Sequence, residues 1–206
     1  MKTLFISATN TNIGKTYASV KILEHLGSMG VKVGAFKPIE TGVNTIPQDA
    51  NRLLTVCKKY NNNFKIFSPF DITAYTFKLP AAPFSADSNN TINIAKIKQK
   101  YLQLKSQCDF LVIEGAGGLM VPITKDYFMI DLIKDFNTKA LLVTPSYLGC
   151  INETLLSINA LKSKNIEFDW CVNLYKDKDS FNQITKPFYD SYFKKWYNLD
   201  SYIQNL

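Results

Sequence analysis

Gly14-Lys15-Thr16 is the stretch of this sequence best suited to chemistry. It follows an apolar, β-favouring run, Thr3 to Ile6, and a small polar stretch, Ser7 to Ile13. Behind it Tyr17, Val20 and Leu23, with Ile22 and Leu26 beside them, keep helical spacing. Strand, polar loop, Gly-Lys-Thr and helix is the layout of a phosphate-binding loop. A helix start offers unpaired N–H groups and the positive end of its dipole to a polyphosphate. Gly14 lets the backbone come close, Lys15 reaches the β- and γ-phosphates, and the Thr16 hydroxyl is a ligand for Mg²⁺. The strict pattern has glycine at position 9, where this chain has Thr9 after Ala8. A chance Gly-Lys-Thr at a helix start is the competing explanation, and the preceding strand weighs against it.

Further polar groups fall where strands end. Asp109–Glu114 is a buried type of strand, closed by Glu114 and followed by Gly115-Ala-Gly-Gly118. A carboxylate there holds Mg²⁺ in phosphate-loop proteins, and the alternative is a solvated strand end. Lys37, with Pro38, closes the strand Val31–Phe36, with Ile39 to Gly42 turning away. A second ammonium near the γ-phosphate neutralises charge in phosphoryl transfer, and a snorkelling lysine is the alternative. Asp49 stands just before a helical segment and reads equally as its N-cap. The lone histidine, His25, lies inside the first helix with no Cys or carboxylate at ligand spacing, so no Ser/His/Asp or Cys/His site is in prospect.

The elements that must position these groups alternate along the chain. Helical spacing is read over 49–60, 92–104, 131–136 and 151–161, and again in Phe181, Phe188, Tyr192 and Trp196. Strands are read at 31–36, 109–114, 139–144 and 168–173. Strands that are apolar on both faces and alternate with helices imply a parallel sheet with helices on both faces and functional loops at the carboxyl ends of the strands. The expected class is a single-domain α/β fold, residues 1–206, with Ser7, Lys37, Glu114, the Pro145 loop and Asn173 along one edge.

With 206 residues, 46% of them apolar, the chain can bury a substantial core. The net charge is +7, but Arg52 is the only arginine and lysine is spread along the chain. A specific nucleic-acid binder without arginine forks is not expected. Cys57, Cys108, Cys150 and Cys171 show no C-x-x-C and read as free thiols. No apolar run approaches the roughly 18–20 residues that span a membrane. Nor does the start fit a signal peptide, so a cytoplasmic protein is expected.

Several stretches together resemble dethiobiotin synthetase, the ATP-dependent ring-closing enzyme of biotin synthesis: Thr9-Asn-Thr-Asn-Ile-Gly-Lys-Thr16, Lys37-Pro-Ile-Glu-Thr-Gly42, Pro80-Ala-Ala-Pro83, Ile113-Glu-Gly-Ala-Gly-Gly118, Leu148-Gly-Cys-Ile-Asn152 and Asn173. The resemblance runs from Met1 to about residue 175. It implies 7,8-diaminononanoate, CO₂ and MgATP as substrates, a phosphate-loop NTPase fold and a homodimer with substrate near the subunit interface. By the same resemblance Lys15, Lys37 and Thr11 are catalytic, and Asn12, Ile13, Gly14, Lys15, Thr16, Tyr17 and Asn173 bind the nucleotide. Thr16, Asp49 and Glu114 map to the Mg²⁺ shell, and Thr41, Gly117 and Gly118 line the substrate site. Gly149, Cys150, Ile151 and Asn152 match a helix start whose N–H groups hold the substrate carboxylate.

The sequence departs from the family at Ala8 in place of a loop glycine, at Asn12 where many members carry Glu, and at Leu174 where Asp is common. It departs again in a short atypical tail, about 176–206, without the Gly-x-Ile-Pro-x-Leu segment that walls the base. Rival readings are a partition or metal-insertion ATPase of the same superfamily and a non-catalytic nucleotide- or nucleic-acid-binding module. The partition signature needs Lys at position 10 and Gly at 11 and 12, where this chain has Asn10, Thr11 and Asn12.

Overall fold

The computed structural model describes residues 2–175 and 177–206. Lys176, where the atypical tail was expected to begin, lies outside the described residues. In chain order the elements are β1 (Lys2–Ala8), α1 (Lys15–Ser28), β2 (Val33–Thr41), α2 (Gln48–Tyr60), β3 (Thr73–Phe77), α3 (Pro83–Ala86), α4 (Ile94–Lys105) and β4 (Phe110–Gly118). They continue with β5 (Pro122–Thr124), β6 (Tyr127–Phe128), α5 (Met129–Asp135), β7 (Lys139–Thr144), α6 (Cys150–Ser163), β8 (Phe168–Val172), α7 (Lys178–Ser180), α8 (Lys186–Tyr192), β9 (Tyr197–Asn198) and α9 (Leu199–Gln204).

Seven strands form one sheet in the order β3-β2-β4-β1-β7-β8-β9, every pair parallel. The central strands β4, β1 and β7 are almost wholly buried apolar runs, as two covered faces require. Side chains alternate along β4, so neighbours report opposite faces. Glu114 meets Thr16 of α1, whereas a side chain at Gly115 would run into Phe5 and Met129 of α5. On that second face Phe136 stacks on Tyr101 of α4 at 4.3 Å. No helix among the described residues is long and apolar enough to cross a membrane, and all four cysteines are free and buried.

Three expectations need correction. The strand before Lys37 does not close there. β2 pairs with β4 over Val33–Phe36 and then with β3 over Lys37–Thr41, so it runs on to Thr41. Pro38, with no N–H to give, sits just past the last residue paired to β4. Likewise β4 passes through its glycines to Gly118, because Ala8 of β1 pairs there beyond an irregularity. Finally, the aromatic spacing after Phe181 is not one helix. A π-helical turn over Phe181–Thr185 precedes α8, Pro187 occupies its first turn, and Trp196 lies beyond its end. The aromatics instead gather on Trp170 of β8, with ring centroids 4.6 Å from Phe193 and 5.3 Å from Tyr189. Phe181 and Tyr189 are core residues, and Tyr192 is exposed. The chain then adds β9 beside β8, which no pattern in the sequence announced.

Candidate active site

The loop between β1 and α1 carries two left-handed residues, Asn12 (φ 62°) and Gly14 (φ 104°). Asparagine tolerates that region and glycine favours it. Ala8 is the last residue of β1, outside the left-handed region, so glycine is not needed there. At Gly14 glycine is needed twice. A Cβ would also lie 2.2 Å from Nδ2 of Asn173, which donates to the Ile13 carbonyl at 2.9 Å. The loop crosses Gly118 as closely: a Cβ there would stand 2.8 Å from the Thr9 carbonyl oxygen. The glycine run of β4 therefore makes room for the loop.

α1 brings Lys15 and Thr16 to this loop. Lys15 is buried, and its Nζ donates to the Asn10 carbonyl at 3.0 Å. Burial, then the charge of Lys37, lowers its pKa to about 8, with Glu114 and Asp49 acting in the opposite sense. Thr16 donates its hydroxyl to Glu114 Oε1 at 2.9 Å. The same oxygen receives Lys37 Nζ at 2.6 Å, and Lys37 also reaches Asp49 Oδ2 at 3.1 Å and the Gly115 carbonyl at 3.3 Å. Burial disfavours the Lys37 charge, but Glu114 and Asp49 outweigh it and hold the ammonium above its ordinary pKa. Lys37 is thus a fixed cation and a donor, not a base.

Asp49 is not the N-cap of α2. That position is Pro47, and no side chain caps it locally. The orphan N–H groups of Asp49 and Ala50 go instead to the two oxygens of Glu40, at 2.9 and 3.0 Å. Glu40 therefore ties the start of α2, and with it the Asp49 carboxylate, to the end of β2. Sequence reasoning did not single out Glu40. The signal was present: a helix start without a capping side chain, and a carboxylate shortly before it.

A cavity of about 630 Å³ opens over these groups. Thr11, Asn12, Gly14, Lys15, Thr16, Tyr17, Lys37, Thr41, Asp49 and Gly117 all line it. So do Glu40, Arg52 and Val121, which were not anticipated, and Pro80–Pro83, which the resemblance alone had marked. Ile13 and Asn173 stand behind the loop, and Gly118 beneath it. With its amide committed to the loop, Asn173 braces Ile13. Gly149, Cys150, Ile151 and Asn152 do not line the cavity of their own chain. They form the start of α6, where the Cys150 thiol points inward to Thr185 and Tyr189. A second cavity, of about 640 Å³, lies at the amino ends of the strands beside Lys139 and Asp169 and contains none of the anticipated residues.

Solved structures with this fold include a plasmid partition protein from Borrelia burgdorferi, with a TM-score of 0.58 and 10% identity over 100% of this chain and 99% of that one. The MinD cell division protein of Aquifex aeolicus gives a TM-score of 0.52 at 17% identity over 92% and 78%. At those identities they establish a shared fold alone. The model of an AAA domain family matches residues 2–173. Among curated relatives, an ATP-dependent dethiobiotin synthetase of Sulfurovum sp. (strain NBC37-1) is 59% identical over 96% of this chain and 94% of its own. Those of Wolinella succinogenes (38%, covering 100% and 96%) and Helicobacter pylori strain 26695 (34%, covering 90% and 87%) bear the same description. Identity across nearly the whole length, joined to a phosphate loop that holds its lysine and threonine against Lys37 and Glu114, places this chain in the ATP-dependent dethiobiotin synthetase family.

Proposed function

We propose that the protein carboxylates 7,8-diaminononanoate with CO₂ and closes the cyclic urea at the expense of ATP, with Mg²⁺ as cofactor, as a cytoplasmic homodimer. The observation that carries this reading is the cluster that buried Lys37 and Glu114 make with half-buried Thr16 and Asp49 beside the phosphate loop. One substrate amine takes up CO₂ as a carbamate. A carbamate oxygen attacks the γ-phosphate, giving a carbamic–phosphoric anhydride and ADP. The second amine attacks that carbon and expels phosphate. Each step needs alignment and charge neutralisation more than an acid–base pair. Lys15, Thr11 and the N–H groups of α1 hold the triphosphate, and Lys37 offers its fixed charge to the phosphoryl and carbamate oxygens.

The residues fit Mg²⁺. Oε2 of Glu114 is fully buried and has no hydrogen-bond partner among the described residues, an uncomfortable position for a carboxylate oxygen unless a cation or water answers it. Thr16, Asp49 and Glu114 supply hard oxygen donors of the kind Mg²⁺ takes with phosphate and water. Held by these residues, the ion would supply positive charge to the phosphates of the nucleotide. The start of α6, outside its own cavity, meets the substrate carboxylate in this reading across the dimer interface.

Phosphate release from ATP tests the proposal directly. Release that requires both the diamine and bicarbonate, and yields a cyclic urea by mass, is expected. Release indifferent to the diamine would overturn it.

A further inference from the structure

Glu153 stands in the first turn of α6 and lines neither cavity. No lysine or arginine pairs with it among the described residues. Its partners are two hydroxyls. Thr9 donates to Oε2 at 3.0 Å, and Tyr147 donates to both carboxylate oxygens at 3.0 Å. Burial, then the bond to Glu153, pushes the Tyr147 pKa up to about 12, so the phenol keeps its proton and remains a donor.

The two donors belong to different parts of the edge. Thr9 opens the phosphate loop. The sheet holds its backbone: its N–H donates to the Val143 carbonyl of β7 at 3.3 Å, and its carbonyl passes close over Gly118. Tyr147 belongs to the turn that leads into α6. Its carbonyl receives the Cys150 N–H at 3.1 Å, so its place decides where the remaining free N–H groups of the helix start point. Tyr147, Leu148 and Gly149 are all exposed, so packing does little to hold this turn. Glu153 ties it to a loop residue 144 positions away. We propose that Glu153 is a positioning residue for the substrate carboxylate. It holds the turn before α6, and with it the N–H groups offered to the partner's cavity, in register with the phosphate loop of its own subunit. This rests on the reading above, in which the start of α6 meets that carboxylate across the dimer interface. The rival role is plain repulsion, since a second negative charge in the first turn opposes an incoming anion. The two roles predict opposite signs.

The test compares the diamino acid with its methyl ester, which keeps the chain and removes the charge, in wild type, Thr9→Val, Thr9→Ser, Tyr147→Phe and Glu153→Gln. Thr9 and Glu153 are half-buried and Tyr147 is exposed, so these variants should fold. Wild type should prefer the acid. Thr9→Val and Tyr147→Phe keep the Glu153 charge and each remove one end of the tie. Each should raise KM for the acid about 3- to 10-fold, the usual range for one hydrogen bond, with the loss carried by KM rather than kcat. KM for the ester and for ATP should stay put, and Thr9→Ser, which keeps the hydroxyl, should restore KM for the acid. Glu153→Gln offers one acceptor oxygen to two hydroxyls and should raise it as well. Tighter binding of the acid by Glu153→Gln would overturn the assignment, because repulsion alone gives that sign. Equal losses on acid and ester, or a matching shift in KM for ATP, would also overturn it, leaving Glu153 a brace of the fold or of the nucleotide loop. A wild type that takes the ester as readily as the acid would remove the carboxylate from the start of α6, and this proposal with it. A wild type that consumes neither diamine would overturn the reaction itself.

Discussion

Two helices begin on the same edge of the sheet in the same way, and only one of them builds a site. α1 follows β1 and α6 follows the neighbouring strand β7. Each has a left-handed glycine at its N-cap, Gly14 at φ 104° and Gly149 at φ 99°, and neither has a side-chain cap. Their surroundings differ. A Cβ at Gly14 would strike Asn173, whereas one at Gly149 would meet nothing within 4 Å. The first turn of α1 holds no acid, and its dipole faces a cavity with Lys15 and Thr16. The first turn of α6 carries its own carboxylate, Glu153, which accepts bonds from the Thr9 and Tyr147 hydroxyls, while Leu148 projects into solvent. A glycine-led helix start is thus a local invitation to an anion. It becomes a furnished site where β4, β8 and α2 close around it, and it stays an open rim where they do not.

The largest effects should come from the furnished side. Lys15→Gln or Lys37→Gln should leave a folded protein and lower kcat by at least about 100-fold, as for loss of one preorganised electrostatic donor. Near-normal turnover in a folded Lys37→Gln protein would remove its ammonium from the mechanism. A smaller and sharper contrast lies in the two glycines. Gly149→Ala should cost only the left-handed strain, about 1–2 kcal/mol. Gly14→Ala carries the same strain and must also displace Asn173 from Ile13. It should therefore melt lower than Gly149→Ala and lose nucleotide affinity at least about tenfold, since a lost buried hydrogen bond adds about 1–3 kcal/mol. Thermal melts and nucleotide titrations of both variants check this, and equal costs would erase the distinction between the two helix starts.

Much of the furnished side was legible because its signals are local. The strand–loop–helix order around Gly14 and the polar residues that follow buried apolar runs need no knowledge of distant contacts. Where the reading stopped short, a partner remote in sequence decided the outcome. β2 continues past Pro38 because β3, five residues from a remote part of the chain, pairs with it. Glu40 caps a helix that begins eight residues after it. The aromatic repeat after Phe181 mimics one long helix, yet its spacing serves the packing on Trp170 and the return strand β9.

The mildest effect expected is a pH dependence confined to α1. Burial and the Lys37 charge bring Lys15 down to about 8, against the opposing pull of Glu114 and Asp49. In the free protein Lys15 is therefore charged below about pH 8 and neutral above it. A triphosphate beside the amine favours the charged form, so the bound pKa lies higher. Between the two values binding must take up a proton, and affinity falls as pH rises through about 8, by at most about tenfold per unit. Below that pH this group contributes no slope, and Lys37, whose pKa is raised, stays charged throughout. Titration calorimetry with MgATP in two buffers of different ionisation enthalpy separates the cases. Proton uptake should be near zero at pH 7 and approach one per site at pH 9. A carboxylate held by backbone N–H groups at the start of α6 would show neither uptake nor slope over that range, since no lysine stands in its first turn. Flat nucleotide affinity from pH 7 to 9 would mean that Lys15 keeps its proton in the free protein, with Glu114 and Asp49 offsetting its burial and the Lys37 charge.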